Sequence, residues 1–521
     1  MTAPVLAPPG AAGPAGRGGR GSLLRAEWTK FRSVRGWLVT ALLPGLIVAC
    51  FGLLTAASSR TECDSGPLGH VCAAVPIGPG GEAVDDRFFF VHRALPGDGS
   101  IALHLSSMTG LITYPPPNHD QIVPGLVPWA RAGVMIKTST TPGSPYAAAV
   151  VTGGHGVRLQ YAYTQDVAGP AGGGTSAAPG WLRLTRAGST LTAAESPDGR
   201  AWTTVGSTRL DDLAGPARIG MLVTSPCDLT VVKNSVGGSI GQCRFTETTA
   251  VFDAVTVTGA GSGEPWRSDD VGINDPDHHP GHAAQDGDRF TVTGNGDIAP
   301  LGTQGGSTVE GTLSGAFLAL IVVVVLGVLM ISSEYRRGLI RTTLLAGPRR
   351  GRLLPAKAVV VGGVTFVVGL IACGITLPVG VHVLRAGGNV VLPVPLTTEL
   401  RVVVGTAALL ALTAVLALGV GALLRQAVAG VVVTAALVVL PLLLATASVL
   451  PPEVSRWILR VTPAAAFAVQ QSIPQYPQVI NNYVPQMGYY PLPPLTGLAV
   501  LCAYAAAALW LAVVVLRRRD A

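Results

Sequence analysis

Six uncharged apolar runs constrain this sequence more than any other feature in it. They occupy residues 37–57, 313–331, 358–383, 402–424, 427–450 and 495–516. Each is about 20 residues long, the length a helix needs to cross a hydrocarbon core of about 30 Å. Lipid offers the backbone no hydrogen bonds, so such runs fold as helices that close their own. Pro44, Pro378 and Pro441 fall inside three of the runs, which membrane helices tolerate because neighbours re-satisfy the freed carbonyls. Composition agrees: 12% of the 521 residues are charged, against about a quarter in soluble domains. The first run reads as a retained anchor behind a basic leader; a cleaved signal peptide ending near Ala57 is the alternative.

Charge then orients the spans. Residues 58–312 hold 15 Lys/Arg and 24 Asp/Glu, a net of −9, whereas the rest of the chain is at +16. Basic residues crowd 17–35, 336–357 and 517–519. The positive-inside rule places those segments and both termini in the cytoplasm of a multi-pass plasma-membrane protein. Residues 58–312 are then extracytoplasmic. Four cysteines lie there, Cys63, Cys72, Cys227 and Cys243, and four allow three pairings. Short loops favour Cys63–Cys72 and Cys227–Cys243, under oxidising conditions outside the cell.

The Pro/Gly/Ala-rich tail 1–21 has no apolar period and is expected to be disordered. Residues 22–36 read as an amphipathic helix on the inner surface of the bilayer, with Leu24, Trp28, Phe31 and Val34 near one face and Arg25, Lys30 and Arg32 towards the other. A basic leader serving topology alone is the other reading. Residues 58–84 form a Cys-bearing loop, and 85–259 are rich in strand alternation broken by turn signals. GVRLQYAY (156–163) alternates Val157, Leu159, Tyr161 and Tyr163 against Arg158 and Gln160, and Thr190–Gly206 folds back at Ser-Pro-Asp-Gly. Short strands at this spacing predict an antiparallel β-sandwich over 85–259. Residues 260–312 read as a linker back to the membrane, and 313–516 as a five-span core with a basic tail at 517–521. The Pro-, Gln- and Tyr-rich stretch 451–494 fits an ordered external cap or a re-entrant segment.

Several chemistries can be weighed by their motifs. The four lysines, Lys30, Lys137, Lys233 and Lys357, include none in a P-loop, and there is no H-E-x-x-H and no C-x-x-C. Asp275, Asp277, His278, His279 and His282 are broken by Pro and Gly and match no ligand spacing, so a solvated loop is expected. Glu195 and Asp198 are a poor carboxylate pair for glycoside hydrolysis because Asp198 sits at a hairpin tip. Trp129, Trp181 and Trp202 read as sandwich core rather than sugar platforms. His382 stands near the outer end of its span, where it reaches water instead of relaying protons.

Residues 333–357, SEYRRGLIRTTLLAGPRRGRLLPAK, carry seven Lys/Arg against one Glu between two spans. Tethered at both ends to the bilayer, this loop is ill placed for nucleic acid. Tyr335, Leu339, Leu344 and Leu345 give it an apolar side until Pro348 interrupts, a pattern suited to a short docking helix. These residues, with LLRAEWTKFRSVRGW ahead of the first span and the order of six spans, resemble the permeases of exporter-class ABC transporters in their actinobacterial form. The resemblance implies a coupling helix that contacts a separate ATP-binding subunit through Glu334, Tyr335, Arg336, Arg337, Gly338, Arg341, Thr342 and Thr343. It also implies a second permease, identical or different, and ATP with Mg²⁺ held on the partner, so no catalytic residue, metal or cofactor is expected on this chain.

The external segment departs from the short first loop of such permeases. DDRFFFVHRALPGDGSIALHLSS, WARAGVMIKTS, GWLRLTRAG and ESPDGRAWTTVG resemble concanavalin A-like jelly-roll domains of the lectin/glucanase type, which makes carbohydrate a candidate ligand. The expected fold is therefore an α-helical transmembrane bundle of six spans with an inserted all-β jelly-roll sandwich. The expected function is transport of a substrate, outward, driven by a partner's ATP hydrolysis. A membrane-anchored glycan-binding or sensing protein is the main alternative, with a surface glycosidase behind it.

Overall fold

The computed structural model describes residues 20–518 apart from 62–64, 67–68, 71–74, 114–120, 234–238, 261–263, 273–279, 337–349 and 448–449. Helix α1 (Arg20–Ser33) leads into α2 (Arg35–Ser58), and α3 (Gly315–Arg336), α4 (Leu353–Ala386), α5 (Leu396–Leu424) and α6 (Ala427–Thr446) follow the β-rich insert. A short α7 (Pro452–Val461) precedes α8 (Pro494–Arg518). Six of these helical segments are long and apolar enough to cross a membrane. Pro44, Pro378 and Pro441 lie inside α2, α4 and α6.

Helix α5 is the axis of the bundle, with Val402, Leu409, Leu410, Ala414, Ala417 and Leu418 buried. Small residues let the neighbours close on it, as expected where packing rather than water expulsion joins helices. A Cβ on Gly327 would stand 2.5 Å from the Ala414 carbonyl, and one on Gly419 would meet Ala508 at 3.0 Å. The opposite surfaces stay apolar and open: Val39, Leu42 and Leu46 on α2, Val428 and Val432 on α6, Trp510 on α8. Contiguous exposed apolar surface of this kind suits lipid, not water.

Between α2 and α3 the chain builds a β-sandwich spanning roughly residues 84–310. One sheet runs Gln165–Ala168, Gly156–Tyr161, Tyr146–Thr152, Arg131–Lys137, Ala217–Thr224, Phe88–Leu95, Arg267–Val271. The other runs Thr203–Arg209, Thr190–Ser196, Trp181–Ala187, Gly99–Thr113, Thr246–Thr258, Arg289–Gly294, His282–Asp286, with Ile122–Pro124 beside Gly99–Thr113. All of these pairs are antiparallel. Alternate residues such as Val91, Val134, Ala149, Leu159, Leu182, Leu184, Ile219 and Phe252 fill the space between the sheets. The seven-stranded sheet is buried on its other face too, where Phe88, Phe90, Met135, Tyr146, Val150, Tyr163 and Leu222 pack beneath Val84 and Ile298. Its central strands consequently have no exposed residue between Arg131 and Lys137 or between Tyr146 and Thr152.

Three expectations need correcting. The sandwich does not end at Gly259, because Arg267–Val271, His282–Asp286 and Arg289–Gly294 add strands to both sheets. The strand from Gly156 stops at Tyr161: Ala162 and Tyr163 take left-handed φ of 46° and 59°, which turns the Tyr163 ring under the sheet. Trp181 and Trp202 are half-buried on the outer face of the eight-stranded sheet, Trp202 beneath Arg183 at 4.2 Å, and only Trp129 is buried. The hairpin at Ser-Pro-Asp-Gly is as expected: Asp198 accepts from the Arg200 and Ala201 amides at 2.9 Å, and Gly199 turns with φ 73°.

The stretch 451–494 is ordered. After α7, Pro463–Gln470 coils in a buried 3-10 turn, and the following loop reaches the sandwich. Arg131 donates to the Gln478 carbonyl at 3.1 Å and pairs with Asp297, while the Gln478 amide donates to the Thr164 carbonyl at 3.0 Å. Ala83, Leu392 and Ile473 form a small apolar joint beneath. The sandwich thus sits on one end of the bundle, clamped by a cap that the last helices supply.

Candidate functional site

The opposite end of the bundle holds four charged side chains in one cluster. Lys357, on the first turns of α4, places Nζ 2.6 Å from Glu27 Oε2 on α1 and 2.8 Å from Glu334 Oε1 near the end of α3. Lys30, one turn after Glu27, also pairs with Glu334. Lys357 keeps 1% of its side chain exposed, Glu334 4% and Glu27 6%, whereas Lys30 keeps 42%. Removing ions from water costs several kcal/mol each, and only close partners offset it. Here each buried charge has one, although Glu334 Oε2 bonds to nothing among the described residues.

Geometry explains why α1 reaches this place. Residues 24, 27 and 31 fall on one helical face, so Leu24, Glu27 and Phe31 turn inward together, Phe31 at 2% exposure. Trp28 does not share that face: it stands 47% exposed, its ring 6.2 Å from that of Phe31. Leu24 and Phe31 keep the face read from the sequence, while Glu27 takes the buried place beside them and Trp28 turns outward, so the packed face contains a carboxylate. A cavity of about 380 Å³ opens beside the cluster, walled by Phe31, Trp37, Leu329 and Met330.

The cluster brackets the basic segment. Glu334 is on the last turn of α3 before residues 337–349, and Lys357 is on the first turns after them. Tyr335 lies under the guanidinium of Arg425, 5.3 Å from ring centre, and Arg425 occupies the left-handed turn between α5 and α6. Gly351 meets the Arg517 side chain of α8, where a Cβ would lie 2.4 Å from Nη2. Helices α1, α3, α4, α8 and the α5–α6 turn therefore contact the residues that flank this segment, Glu334 and Tyr335 before it and Gly351 and Lys357 after it. Of the expected coupling residues, Glu334 and Tyr335 stand among these contacts, Arg336 ends α3, and Arg337, Gly338, Arg341, Thr342 and Thr343 lie outside the described residues.

At the other end, Cys227 and Cys243 are bonded across the hairpin Asp228–Lys233/Ser239–Arg244, their Cα atoms 5.3 Å apart. Cys63 and Cys72 lie outside the described residues. So do Asp275, Asp277, His278 and His279, whereas His282 is exposed on an edge strand. Glu195 is buried and accepts from the Gly174 amide at 3.0 Å. His382 is exposed near the end of α4. Within the sandwich, Lys137 and Asp86 are fully buried, 2.8 Å apart, with the Tyr163 hydroxyl 2.8 Å from the same carboxylate oxygen. Burial pushes the Lys137 ammonium below its ordinary range despite Asp86. The signal that could have found both ion clusters was the rarity of lysine: three of four lysines are spent on them.

No protein-family model and no curated protein matches the chain. Solved structures with some likeness include a functionally unknown protein from Saccharomyces cerevisiae, 14% identical, covering 39% of this chain and 86% of its own, with a TM-score of 0.20. Another is SCP-B, a member of the Eqolisin family of peptidases in complex with the tripeptide Ala-Ile-His, 9% identical, covering 42% of this chain and all of its own, with a TM-score of 0.24.

Proposed function

We propose that this chain is the membrane-spanning permease subunit of an ATP-driven exporter, working with a second permease copy and a separate ATP-binding subunit. The observation that carries the reading is the buried Glu27–Lys357–Glu334 cluster with Lys30. It ties the interfacial helix and the two helices that border residues 337–349 into one rigid base. A push on that basic segment then moves α1, α3 and α4 together instead of being lost in a loose loop. The charge asymmetry between 58–312 and the rest supports a cytoplasmic position for the cluster. ATP hydrolysis on the partner would drive the push, and the spans would alternate between inward- and outward-facing states.

The test is recovery of an ATP-binding subunit with the tagged permease, and stimulation of its ATPase rate in vesicles. Arg336→Glu with Arg337→Glu should reduce recovery at least tenfold; recovery equal to wild type would remove this segment from the docking role. Lys357→Met should leave docking in place but abolish stimulation.

In this reading the sandwich is a surface module of the concanavalin A-like kind. Glycan capture is favoured by one feature: Trp181, Arg183 and Trp202 share an outer face with His104, whose ring is 5.3 Å from that of Trp181. Half-exposed indoles are platforms for sugar rings. Loss of glycan binding in Trp181→Ala and Trp202→Ala, measured on the full protein, would support it; binding by neither wild type nor variants would end it.

A further inference from the structure

Helix α7 divides its surface into three stripes. Ser455 and Leu459 are buried against the bundle. Val454, Trp457 and Val461, at helical spacing, are exposed by 44%, 62% and 40%. Arg456 and Arg460, one turn apart on the opposite flank, line a cavity of about 530 Å³ completed by Gln471, Gln475, Tyr483 and Tyr490. Among the described residues no carboxylate lines this cavity. Arg456 is held by Glu453 at 2.9 Å and the Tyr483 carbonyl at 3.3 Å, but Glu453 is 83% exposed and its charge is largely spent on water. Arg460 makes no hydrogen bond or ion pair among the described residues.

A helix at the end of a spanning bundle, with a buried face, an open Trp-bearing flank and an arginine flank, has the build of an element at headgroup depth. Tryptophan concentrates at that depth because its ring is apolar and its N–H is not. The cavity is cationic where a phosphate would sit, and the apolar stripe begins where acyl chains would run. We propose that α7 and the loop 471–494 form a binding site for an anionic phospholipid of the outer leaflet, its phosphate against Arg456 and Arg460 and its chains along Trp457 and Val461. Charge complementarity selects the occupant: a zwitterionic headgroup would bring a second cation beside two guanidinium groups. The site lies beside the cap that clamps the sandwich, since the Arg456 partner Tyr483 also packs edge-on against Tyr489, whose hydroxyl accepts from Asn481 and from the Thr303 amide. Lipid occupancy would thus stiffen the joint between the sandwich and the spans. The inference rests on the bundle spanning a membrane, but not on ATP-driven transport.

The test is photo-crosslinking of the full protein in vesicles with diazirine-bearing phosphatidylglycerol or phosphatidylcholine, the adducts mapped by peptide mass spectrometry. Adducts on 452–494 should be at least fivefold more abundant with phosphatidylglycerol. Arg456→Gln with Arg460→Gln should bring them down to the phosphatidylcholine level, while adducts on 20–36 stay unchanged as the control for fold and insertion. Equal yields from the two lipids, or an unaltered yield in the variant, would overturn the proposal. So would full competition by millimolar glycerol phosphate, which would make the site one for soluble anions. Absence of adducts everywhere would reject the membrane reading itself.

Discussion

A lysine side chain with 1% of its surface left to water is stable only where carboxylates replace that water, and Lys357 has two. Breaking such a group from one side strands the other charges, which typically costs about 3–5 kcal/mol. Lys357→Met should therefore lower unfolding stability by that order in detergent melts, whereas exposed Lys30→Met should cost far less. His92 gives a pH signature. It is buried at 2% exposure with Nε2 2.8 Å from Asp269, and burial lowers its proton affinity more than Asp269 raises it. Below the ordinary histidine value near 6.5 the unfolded chain binds a proton that the folded chain refuses, so stability falls with acid and is regained as pH rises through that value. A melt series from pH 5.5 to 7.5 should show this rise, with a shallower slope in His92→Asn. His155 is shifted in the same direction by partial burial and Arg158, so some slope should remain. At this scale the sequence was only partly legible. Glu27 sits in LLRAEWTKFR as a lone acid among basic residues, a pattern that looks like solvated surface until the helix face is rotated onto a buried lysine 330 positions away.

Among elements, the long apolar helices were readable because hydropathy alone selects them, and five of the six predicted runs lie inside the observed helices within three residues; the run from 427 overshoots the end of α6 by four. Edge strands were not. Arg267–Val271 and His282–Asp286 contribute mainly backbone bonds, and the latter is exposed at every residue. Polar edges protect a sheet from further pairing, and they also erase the alternation by which a strand is recognised. The Ser-Pro-Asp-Gly hairpin was legible because its turn residues carry their geometry with them. The Cys227–Cys243 bond closes a separation of 16 residues, for which chain entropy suggests up to about 3 kcal/mol. Non-reducing peptide mapping should recover these two cysteines linked, and Cys227→Ser with Cys243→Ser should lower the melting temperature without altering the pH slope from His92. Reduction leaving stability unchanged would mean that the hairpin is held by its ladder and the Arg244–Asp228 pair.

Across the whole molecule, opposite ends of one bundle carry a buried charge cluster and a clamped sandwich. Ser106→Cys, exposed on the sandwich, should react with a membrane-impermeant thiol reagent on intact cells, and Thr29→Cys on α1 only after lysis. The opposite result would invert the proposed orientation. Arg131→Ala should loosen the clamp, seen as faster amide exchange across 473–484 with the spans unaffected, because Arg131 joins Asp297 and the Gln478 carbonyl. The sequence left the cap as one of two readings for 451–494, beside a re-entrant segment: Pro, Gln and Tyr have no period there, and their order comes from contacts made across the fold. The insert's two ends meet: Val84 pairs with Pro300, and Leu301 donates to the Ala83 carbonyl at 2.8 Å. More than two hundred residues therefore leave and rejoin the chain through a stem one strand-pair wide. Excision at that point would cut the chain path at one place and leave the order of the helices intact, and what it would cost is the Gln478 side of the clamp, whose partners Arg131 and Thr164 both leave with the insert.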